Sequence, residues 1–255
     1  MSKTPFFTII TASFNSEATI ARTIQSVLNL DFIDFEYIII DGNSSDKTVE
    51  VIESFVPKFK DKGISYRFVS EKDKGIYDAW NKGVKMSSGE WISFLGSDDT
   101  YFSDALATYF LEIKNHPESN YISSQVNLTN SDGKVLQVFG EKYQWKKVIS
   151  DINVAQVGSF HKKELFNQVG LYNLAYKIVG DLDFYIRCKD VIRPAYFTKV
   201  TANMENGGVS NQVFLALQEA LQVKQKHGYK SKLFNYYKFY TSLLKCYIKM
   251  AVNKK

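Results

Sequence analysis

Two short apolar segments, FFTIITA at residues 6–12 and FEYIIID at residues 35–41, decide the fold of this chain. Both are rich in β-branched and aromatic residues, which is typical of strands that are buried on both faces of a sheet. Between them, residues 17–29 place apolar side chains at helical spacing, with Ser16 as a candidate N-cap. This order of strand, helix and strand predicts a βαβ unit and therefore a parallel pair of strands.

The alternation of strand and helix signals continues to about residue 100. It predicts a helix that begins at Asp46 and ends near Pro57, a strand at 64–70, a helix at 74–85 and a strand at 91–95. We therefore expect an α/β fold with a mostly parallel central sheet flanked by helices. Ligands of such sheets bind beyond the carboxyl ends of the strands. Three polar loops are predicted there, at residues 11–16, 41–46 and 96–100.

The remainder of the chain has a less regular pattern. It predicts a hairpin of strands 121–128 and 134–139 around Asp132-Gly133, and helices at 102–114, 162–168, 181–189, 212–226 and 232–252. No internal repeat or linker divides the chain. The expectation is one catalytic domain, residues 1–210, followed by a helical C-terminal appendage, residues 211–255.

Composition excludes several classes of protein. Of 255 residues, 45% are hydrophobic and 23% are charged, as in ordinary folded proteins. Two cysteines cannot build a disulfide framework or a zinc cluster. The N-terminal apolar run is too short for a signal peptide, and no run reaches the roughly 18 apolar residues of a membrane span. A cytoplasmic location is expected.

The net charge of +5 is concentrated in the C-terminal tail, because residues 220–255 contain nine lysines and no acidic residue. On a helix, one apolar stripe would contain Leu233, Tyr236, Tyr237, Tyr240, Leu244, Tyr247 and Ala251, with lysines opposite. Two interpretations stay open: the stripe packs on the catalytic domain, or it lies on an anionic membrane surface. Nucleic acid is disfavoured, because the tail contains no arginine.

Carboxylates follow two of the predicted strands. Asp41 is either a ligand for a base or ribose, or part of a turn. Asp98 and Asp99 would repel each other, and a divalent Mn²⁺ or Mg²⁺ would relieve that repulsion; the alternative is a helix-capping pair. Neither a G-x-G-x-x-G segment after the first strand nor a phosphate-binding G-x-x-x-x-G-K-[ST] loop is present.

The first hundred residues resemble the opening of family 2 glycosyltransferases with the GT-A fold. Three segments in combination show the resemblance: TIITASFNSEATI (8–20), IIIDGNSSDKT (38–48) and SEKDKGIYDAWNKGVKMSSGEWISFLGSDD (70–99). Three later segments are similar to the acceptor half of bacterial polysaccharide-assembling members: GSFHKKELFNQVGLYN (158–173), YKIVGDLDFYIRC (176–188) and ENGGVS (205–210). The resemblance covers roughly residues 5–210. It implies a Rossmann-like nucleotide-binding half, residues 1–100, and an acceptor half, residues 101–210.

The resemblance also implies roles for individual residues. The donor, often a UDP-sugar, would be bound by Thr11, Ser13, Asn15, Asp41, Asp73, Asn81 and Asp98. Asp98 and Asp99 match the D-x-D region, whose last acid binds the metal; many members have another Asp where this chain has Gly96, which leaves the division of labour between the two open. Asp181 matches the catalytic base, and Asp183, two residues on, is assigned to the acceptor side. His161 is interpreted either as a contact on the acceptor or diphosphate side or as a partly buried, hydrogen-bonded histidine.

These roles form one coherent reaction. A metal ion held by Asp99 would neutralise the leaving diphosphate, and Asp181 would take the proton of the attacking hydroxyl. One base and one displacement invert the anomeric centre, without the second carboxylate that a retaining glycosidase requires. Without the resemblance, the residues favour Asp181 as a helix N-cap after Gly180, with Asp183 in the first turn.

The expected function is an inverting, metal-dependent hexosyltransferase of bacterial surface polysaccharide synthesis. The expected donor is a UDP-hexose or UDP-N-acetylhexosamine, and the expected acceptor is a glycan, for example one linked to undecaprenyl diphosphate at the inner face of the cytoplasmic membrane. The alternatives are a sugar-nucleotide nucleotidyltransferase, which would need a glycine-rich loop after the first strand, and a non-catalytic nucleotide-sugar-binding protein.

Overall fold

The computed structural model describes residues 4–150, 153–207 and 212–252. Its strands are β1 (Phe7–Ser13), β2 (Phe35–Asp41), β3 (Ser65–Ser70), β4 (Trp91–Gly96), β5 (Thr100–Tyr101), β6 (Tyr121–Thr129), β7 (Val135–Phe139), β8 (Ser159–Lys162) and β9 (Pro194–Glu205). Its helices are α1 (Ile20–Leu28), α2 (Thr48–Ser54), α3 (Val56–Asp61), α4 (Ile76–Met86), α5 (Ala105–Asn115), α6 (Trp145–Val148), α7 (Lys163–Val169), α8 (Gly180–Cys188), α9 (Val213–Lys226) and α10 (Lys232–Val252).

The first four strands form the predicted parallel sheet, in the order β3-β2-β1-β4. In β1, β2 and β4 apolar side chains are buried on both faces, which explains the uninterrupted apolar runs, whereas the edge strand β3 is only partly buried. Ile9 packs with α1, whereas its neighbour Ile10 packs with Trp80 of α4 on the other face. Strands β1 and β2 could be read from the sequence because neither face of these strands meets water.

The second half of the sheet is mixed. β8 pairs antiparallel with both β4 and β6, β6 runs parallel to β9, and β5 pairs antiparallel with β9. The predicted hairpin of β6 and β7 is confirmed. Strands β5, β8 and β9 were not predicted; β9 mixes buried, half-buried and exposed positions, so that it shows no clear period in the sequence.

Several helix boundaries differ from the prediction, among them the starts of α1 and α5, each by three residues. Helix α1 begins at Ile20 rather than Glu17, because the carbonyl of Ser16 accepts hydrogen bonds from Thr19 and Ile20 in a preceding turn. The helix expected to end near Pro57 is instead two helices, and Pro57 lies in the first turn of α3. Proline is tolerated there because the first N–H groups of a helix have no intrahelical acceptor.

The two C-terminal helices pack differently. In α9, Val223 is fully buried in a cluster with Val179, Leu182 and Ile186, so α9 packs against α8. In α10, much of the predicted apolar stripe is exposed: Leu233 by 82%, Tyr237 by 63%, Tyr240 by 62% and Leu244 by 60%. The side chains of Tyr247 and Ala251 lie outside the described part of the chain. Within the described residues, none of the helices combines the length and apolar character that crossing a membrane requires.

Candidate active site

The carboxyl ends of β1, β2 and β3 are joined by a hydrogen-bonded network. The register of the parallel sheet places Ser13 beside Asp41, and Asp41 beside Ser70. The carboxylate of Asp41 accepts hydrogen bonds from the hydroxyls of Ser13 at 3.1 Å and Ser70 at 2.7 Å. It also accepts from the backbone N–H of Ser44 at 2.9 Å and from its hydroxyl. Asp41 therefore ties three strand ends to the loop after β2.

Asp41 has no solvent-accessible surface. The role expected from the resemblance was direct contact with the base, but in this arrangement the donors around Asp41 come from the protein itself. Thr11 is likewise fully buried, and its hydroxyl lies 3.0 Å from that of Tyr37. The side chains of Asp41 and Thr11 therefore support the loops after β1 and β2 from the interior of the protein. This could not be read from the sequence, because their partners lie 26 to 29 positions away.

Asn15 is exposed and connects the loop after β1 to the loop after β2 by hydrogen bonds. Its backbone is in the left-handed region, with φ of 47°, which Asn tolerates better than most residues. Its side-chain oxygen accepts from the N–H of Ser45 at 2.9 Å, and its own N–H donates to the Ser44 hydroxyl at 2.8 Å. The two loops therefore form one surface beyond β1 and β2.

Phe14 was missed by the sequence analysis and lies at this surface with 63% of its side chain exposed. A methyl group built on Gly42 would lie 3.3 Å from the Phe14 ring and 2.9 Å from a carboxylate oxygen of Asp73. Phe14, Gly42 and Asp73 therefore converge on one point, and Asp73 is partly exposed. An aromatic residue in a polar loop at a strand end was the signal that could have found Phe14.

Asp98 and Asp99 converge above Gly96. A Cβ atom at Gly96 would lie 2.8 Å from an Asp98 oxygen and 2.7 Å from an Asp99 oxygen, so this position has no room for a side chain. Asp99 is nearly buried and accepts from the N–H groups of Glu205 at 2.9 Å and Gly96 at 3.2 Å. Asp98 is partly exposed. Gly96 therefore leaves space that both carboxylates occupy.

The electrostatics of this pair favour a cation. Burial raises the pKa of Asp98, and burial together with the neighbouring charge of Asp98 raises the pKa of Asp99 to about 7. Within the part of the chain that the structure describes, no three His, Cys, Asp or Glu side chains are grouped to hold a metal ion. Two carboxylates nevertheless suit Mn²⁺ or Mg²⁺, which complete their coordination with water and substrate phosphates. The donor chemistry therefore fits the implied ion.

Asp181 lies in the first turn of α8, whose N-cap is Val179. Its carboxylate accepts from the N–H of Leu182 at 2.8 Å and lies 3.5 Å from the hydroxyl of Tyr77. Tyr77 is in the first turn of α4, which follows the carboxyl end of β3. Asp181 is therefore at the same edge of the sheet as the loops described above. It is partly exposed, and burial raises its pKa to about 6.

Three predicted site residues face other parts of the protein. Asn81 is buried and exchanges two hydrogen bonds of 2.9 Å with the backbone of Tyr172. His161 is fully buried, 3.5 Å from the Tyr185 hydroxyl, and burial lowers its pKa to about 3. Both side chains are thus engaged with other parts of the protein, and the ligand contacts expected of them stay predictions.

Asp183 is the third such residue. It is almost fully buried and bonds Arg187 and His227, each at 2.9 Å. This pairing occupies the carboxylate of Asp183, whose expected place on the acceptor side stays a prediction. The pair with His227 joins α8 to the residue that follows α9 and had no signal in the sequence, whereas the pair with Arg187 has the i, i+4 spacing of an ordinary helical ion pair.

Comparison with known proteins agrees with this geometry. Residues 8–150 match the model of glycosyl transferase family 2, which is more than half of the 255-residue chain. A PGL/p-HBAD biosynthesis glycosyltransferase of Mycobacterium tuberculosis is 31% identical over 215 residues, which cover 82% of this chain and 80% of the relative. A GalNAc(5)-diNAcBac-PP-undecaprenol beta-1,3-glucosyltransferase of Campylobacter jejuni is 35% identical over 104 residues. These cover 41% of this chain and 33% of the relative.

Solved structures support the fold. The S. aureus TarS fragment 1–349 in complex with UDP-GlcNAc superposes with a TM-score of 0.70 at 17% identity, covering 90% of this chain and 69% of that chain. A second structure is the mannosyltransferase PcManGT from Pyrobaculum calidifontis in complex with GDP-Man and Mn²⁺. It superposes with a TM-score of 0.67 at 16% identity, covering 91% of this chain and 66% of that chain. The architecture is the GT-A fold. With the family match over most of the parallel half and the carboxylates gathered at its edge, the chain is a member of glycosyltransferase family 2.

Proposed function

We propose that this glycosyltransferase transfers a sugar from a UDP-sugar, a hexose or N-acetylhexosamine, to a hydroxyl of a glycan acceptor with inversion at the anomeric carbon. The observation that supports this most directly is that Asp98, Asp99 and Asp181 all occur at the carboxyl edge of one parallel sheet. The reaction needs a cation beside the leaving diphosphate and a base beside the acceptor.

Residues 1–100 would bind the donor. Phe14 offers an exposed aromatic face for the base, and Asp73 lies close to it beside Gly42. Asp41 and Ser13 would act indirectly, by fixing the loops on which these groups stand. That TarS has been solved with UDP-GlcNAc supports a UDP-sugar as donor.

Asp98 would be the accessible ligand of Mn²⁺ or Mg²⁺, because Asp99 is nearly buried and already bonded by two backbone N–H groups. The metal would supply Lewis-acid stabilisation of the departing diphosphate. Asp99 would hold the loop and contribute its charge. PcManGT, solved with GDP-Man and Mn²⁺, supports metal dependence.

Asp181 would accept the proton of the attacking hydroxyl. A pKa of about 6 leaves the carboxylate ionised at neutral pH yet more basic than an ordinary aspartate. A positioned base of this kind typically accelerates a reaction by about 10²–10⁴-fold. Because a single displacement suffices, no covalent sugar intermediate on the enzyme is required.

Residues 101–210 would bind the acceptor, and residues 211–255 would bring the enzyme to the cytoplasmic face of an anionic membrane. The exposed stripe of α10 supports this, since nine lysines and no acidic residue occur from 220 to the end. An acceptor carried on undecaprenyl diphosphate would lie at such a surface. The Campylobacter relative, a GalNAc(5)-diNAcBac-PP-undecaprenol beta-1,3-glucosyltransferase, supports the same acceptor class.

The donor can be identified by incubating the protein with a panel of UDP- and GDP-sugars, with and without Mn²⁺, and measuring release of the nucleoside diphosphate. We expect release from a UDP-sugar that depends on added metal. Absence of release and of binding for every nucleotide sugar would contradict the proposal. Release of a nucleoside triphosphate when pyrophosphate is added would instead indicate a nucleotidyltransferase.

A further inference from the structure

Helix α9 contacts the region of Asp181 along one face. Glu219, Val223 and His227 are four positions apart, a spacing that aligns side chains along one side of a helix. Val223 packs in the apolar cluster with α8, and His227, which directly follows α9, bonds the buried carboxylate of Asp183. The third of these side chains, Glu219, is also buried.

Glu219 is the only acidic residue after Glu205 in the sequence, and the nine lysines of this part of the chain all follow it. Its carboxylate accepts three consecutive backbone N–H groups, from Lys177 at 2.9 Å, Ile178 at 2.9 Å and Val179 at 3.2 Å. These residues lead directly into α8, which has no side-chain N-cap of its own. A carboxylate at the positive end of a helix is favourably placed, so Glu219 fixes the start of α8.

The same segment reaches Asp181 by a second route. The carbonyl of Ile178 accepts a 2.6 Å hydrogen bond from the hydroxyl of Tyr77. That hydroxyl accepts the backbone N–H of Asp181 at 3.3 Å and lies 3.5 Å from its carboxylate. A methyl group on Gly180 would lie 2.8 Å from the Tyr77 ring, so the backbone of 178–181 is held closely against Tyr77.

We propose that Glu219 is a positioning residue for Asp181: by binding the backbone of residues 177–179 it sets the orientation of the proposed base. This rests on the proposed function, in which Asp181 takes the acceptor's proton. It makes α9 part of the catalytic unit, although the sequence assigns it to an appendage.

The test is Glu219→Gln in the full-length protein. The glutamine amide group is a donor and would face backbone N–H groups, so at least one of the three hydrogen bonds is lost. We expect hydrogen exchange at the amides of 177–179 to become at least tenfold faster. We also expect kcat to fall at least tenfold, while KM for the donor and the affinity for UDP stay within about twofold.

Val223→Ala is the matched control. It loosens the same contact between α9 and α8 but leaves the three hydrogen bonds in place. An equal fall in kcat in Val223→Ala and Glu219→Gln would show that Glu219 acts only through stability, and would overturn the proposal. If Glu219→Gln does not fold, Glu219→Asp, which keeps the charge but shortens its reach, is measured in its place, with the same two readouts and a smaller expected fall.

The two proposals fail in different ways. A wild-type protein that releases UDP from no UDP-sugar contradicts the proposed function. An active wild-type protein whose Glu219→Gln variant exchanges the amides of 177–179 no faster, or keeps its full kcat, contradicts the positioning role alone.

Discussion

The hydroxyl of Tyr77 lies 3.5 Å from the carboxylate of Asp181, although 104 positions separate the two residues. Tyr77 belongs to the helix that follows the nucleotide-side strand β3, whereas Asp181 begins a helix of the other half of the chain. This contact brings the proposed base to the edge of the sheet where the loops of the parallel half end. The expected effects of single substitutions follow from it and from the contacts around it.

Phe14→Ala should weaken UDP binding. Stacking of a base on an aromatic side chain is worth about 1–3 kcal/mol, so we expect the Kd measured by calorimetry to rise roughly tenfold. Phe14→Tyr keeps the ring and should bind almost as the wild type does. Ile33→Ala removes another exposed apolar side chain, in the loop before β2, and should have no effect. Unchanged UDP binding in Phe14→Ala would remove the stacking role.

Gly96→Ala should impair activity without unfolding the protein. Its Cβ would lie less than 3.0 Å from oxygens of Asp98 and Asp99, so these short side chains must move apart. We expect kcat/KM to fall more than tenfold and the Mn²⁺ concentration at half-maximal activity to rise, with little change in Tm. Wild-type kinetics in this variant would show that the convergence of the two carboxylates is not needed.

Asp181→Asn should stabilise the protein, and more at pH 8 than at pH 5. The pKa of Asp181 is about 6 in the folded state and near 3.8 when unfolded, so the wild type loses stability as pH rises through 6. The neutral amide does not ionise. After allowance for partial exposure the gain at pH 8 is of the order of 2 kcal/mol.

Thermal unfolding of both proteins across pH 4–8 measures this difference. A difference in Tm that does not vary with pH would contradict the raised pKa. Removal of the Asp181 charge is expected to stabilise the fold, because burying that carboxylate costs folding free energy while it serves the reaction.

The exposed face of α10 should bind anionic membranes. Wild-type protein should float with vesicles containing phosphatidylglycerol and not with pure phosphatidylcholine. Replacing Leu233, Tyr237 and Tyr240 together by serine should abolish flotation and leave activity on a soluble acceptor intact. Equal flotation of both proteins, or a change of oligomeric state in the variant instead, would exclude the membrane role.

Strands β1, β2 and β4 of the parallel half could be predicted because they are buried on both faces and therefore appear as continuous apolar runs. Strands β8 and β9 could not, because β8 is only four residues long and β9 alternates irregularly between core and solvent. The helix after Asp46 was misjudged at Pro57, since a proline can begin a helix as readily as it ends one.

Within the candidate site, motif positions indicated which residues gather at the sheet edge but not how each is bonded. Asp41, Asn81 and Asp183 are paired with groups 28 to 91 positions away in the sequence, and such pairings depend on the completed fold. The role of Glu219 had no local signal apart from its being a single acid in a basic tail. Residue type predicted the chemistry, while tertiary contacts decided which groups are free to perform it.

The central claim is that Asp181 acts as the base in a metal-assisted sugar transfer. The most direct measurement compares wild type and Asp181→Asn in transfer from the preferred UDP-sugar with Mn²⁺, together with UDP binding by each protein. We expect transfer to fall by about 10²–10⁴-fold while UDP affinity stays within twofold. Transfer by Asp181→Asn at a rate near that of the wild type would contradict the account.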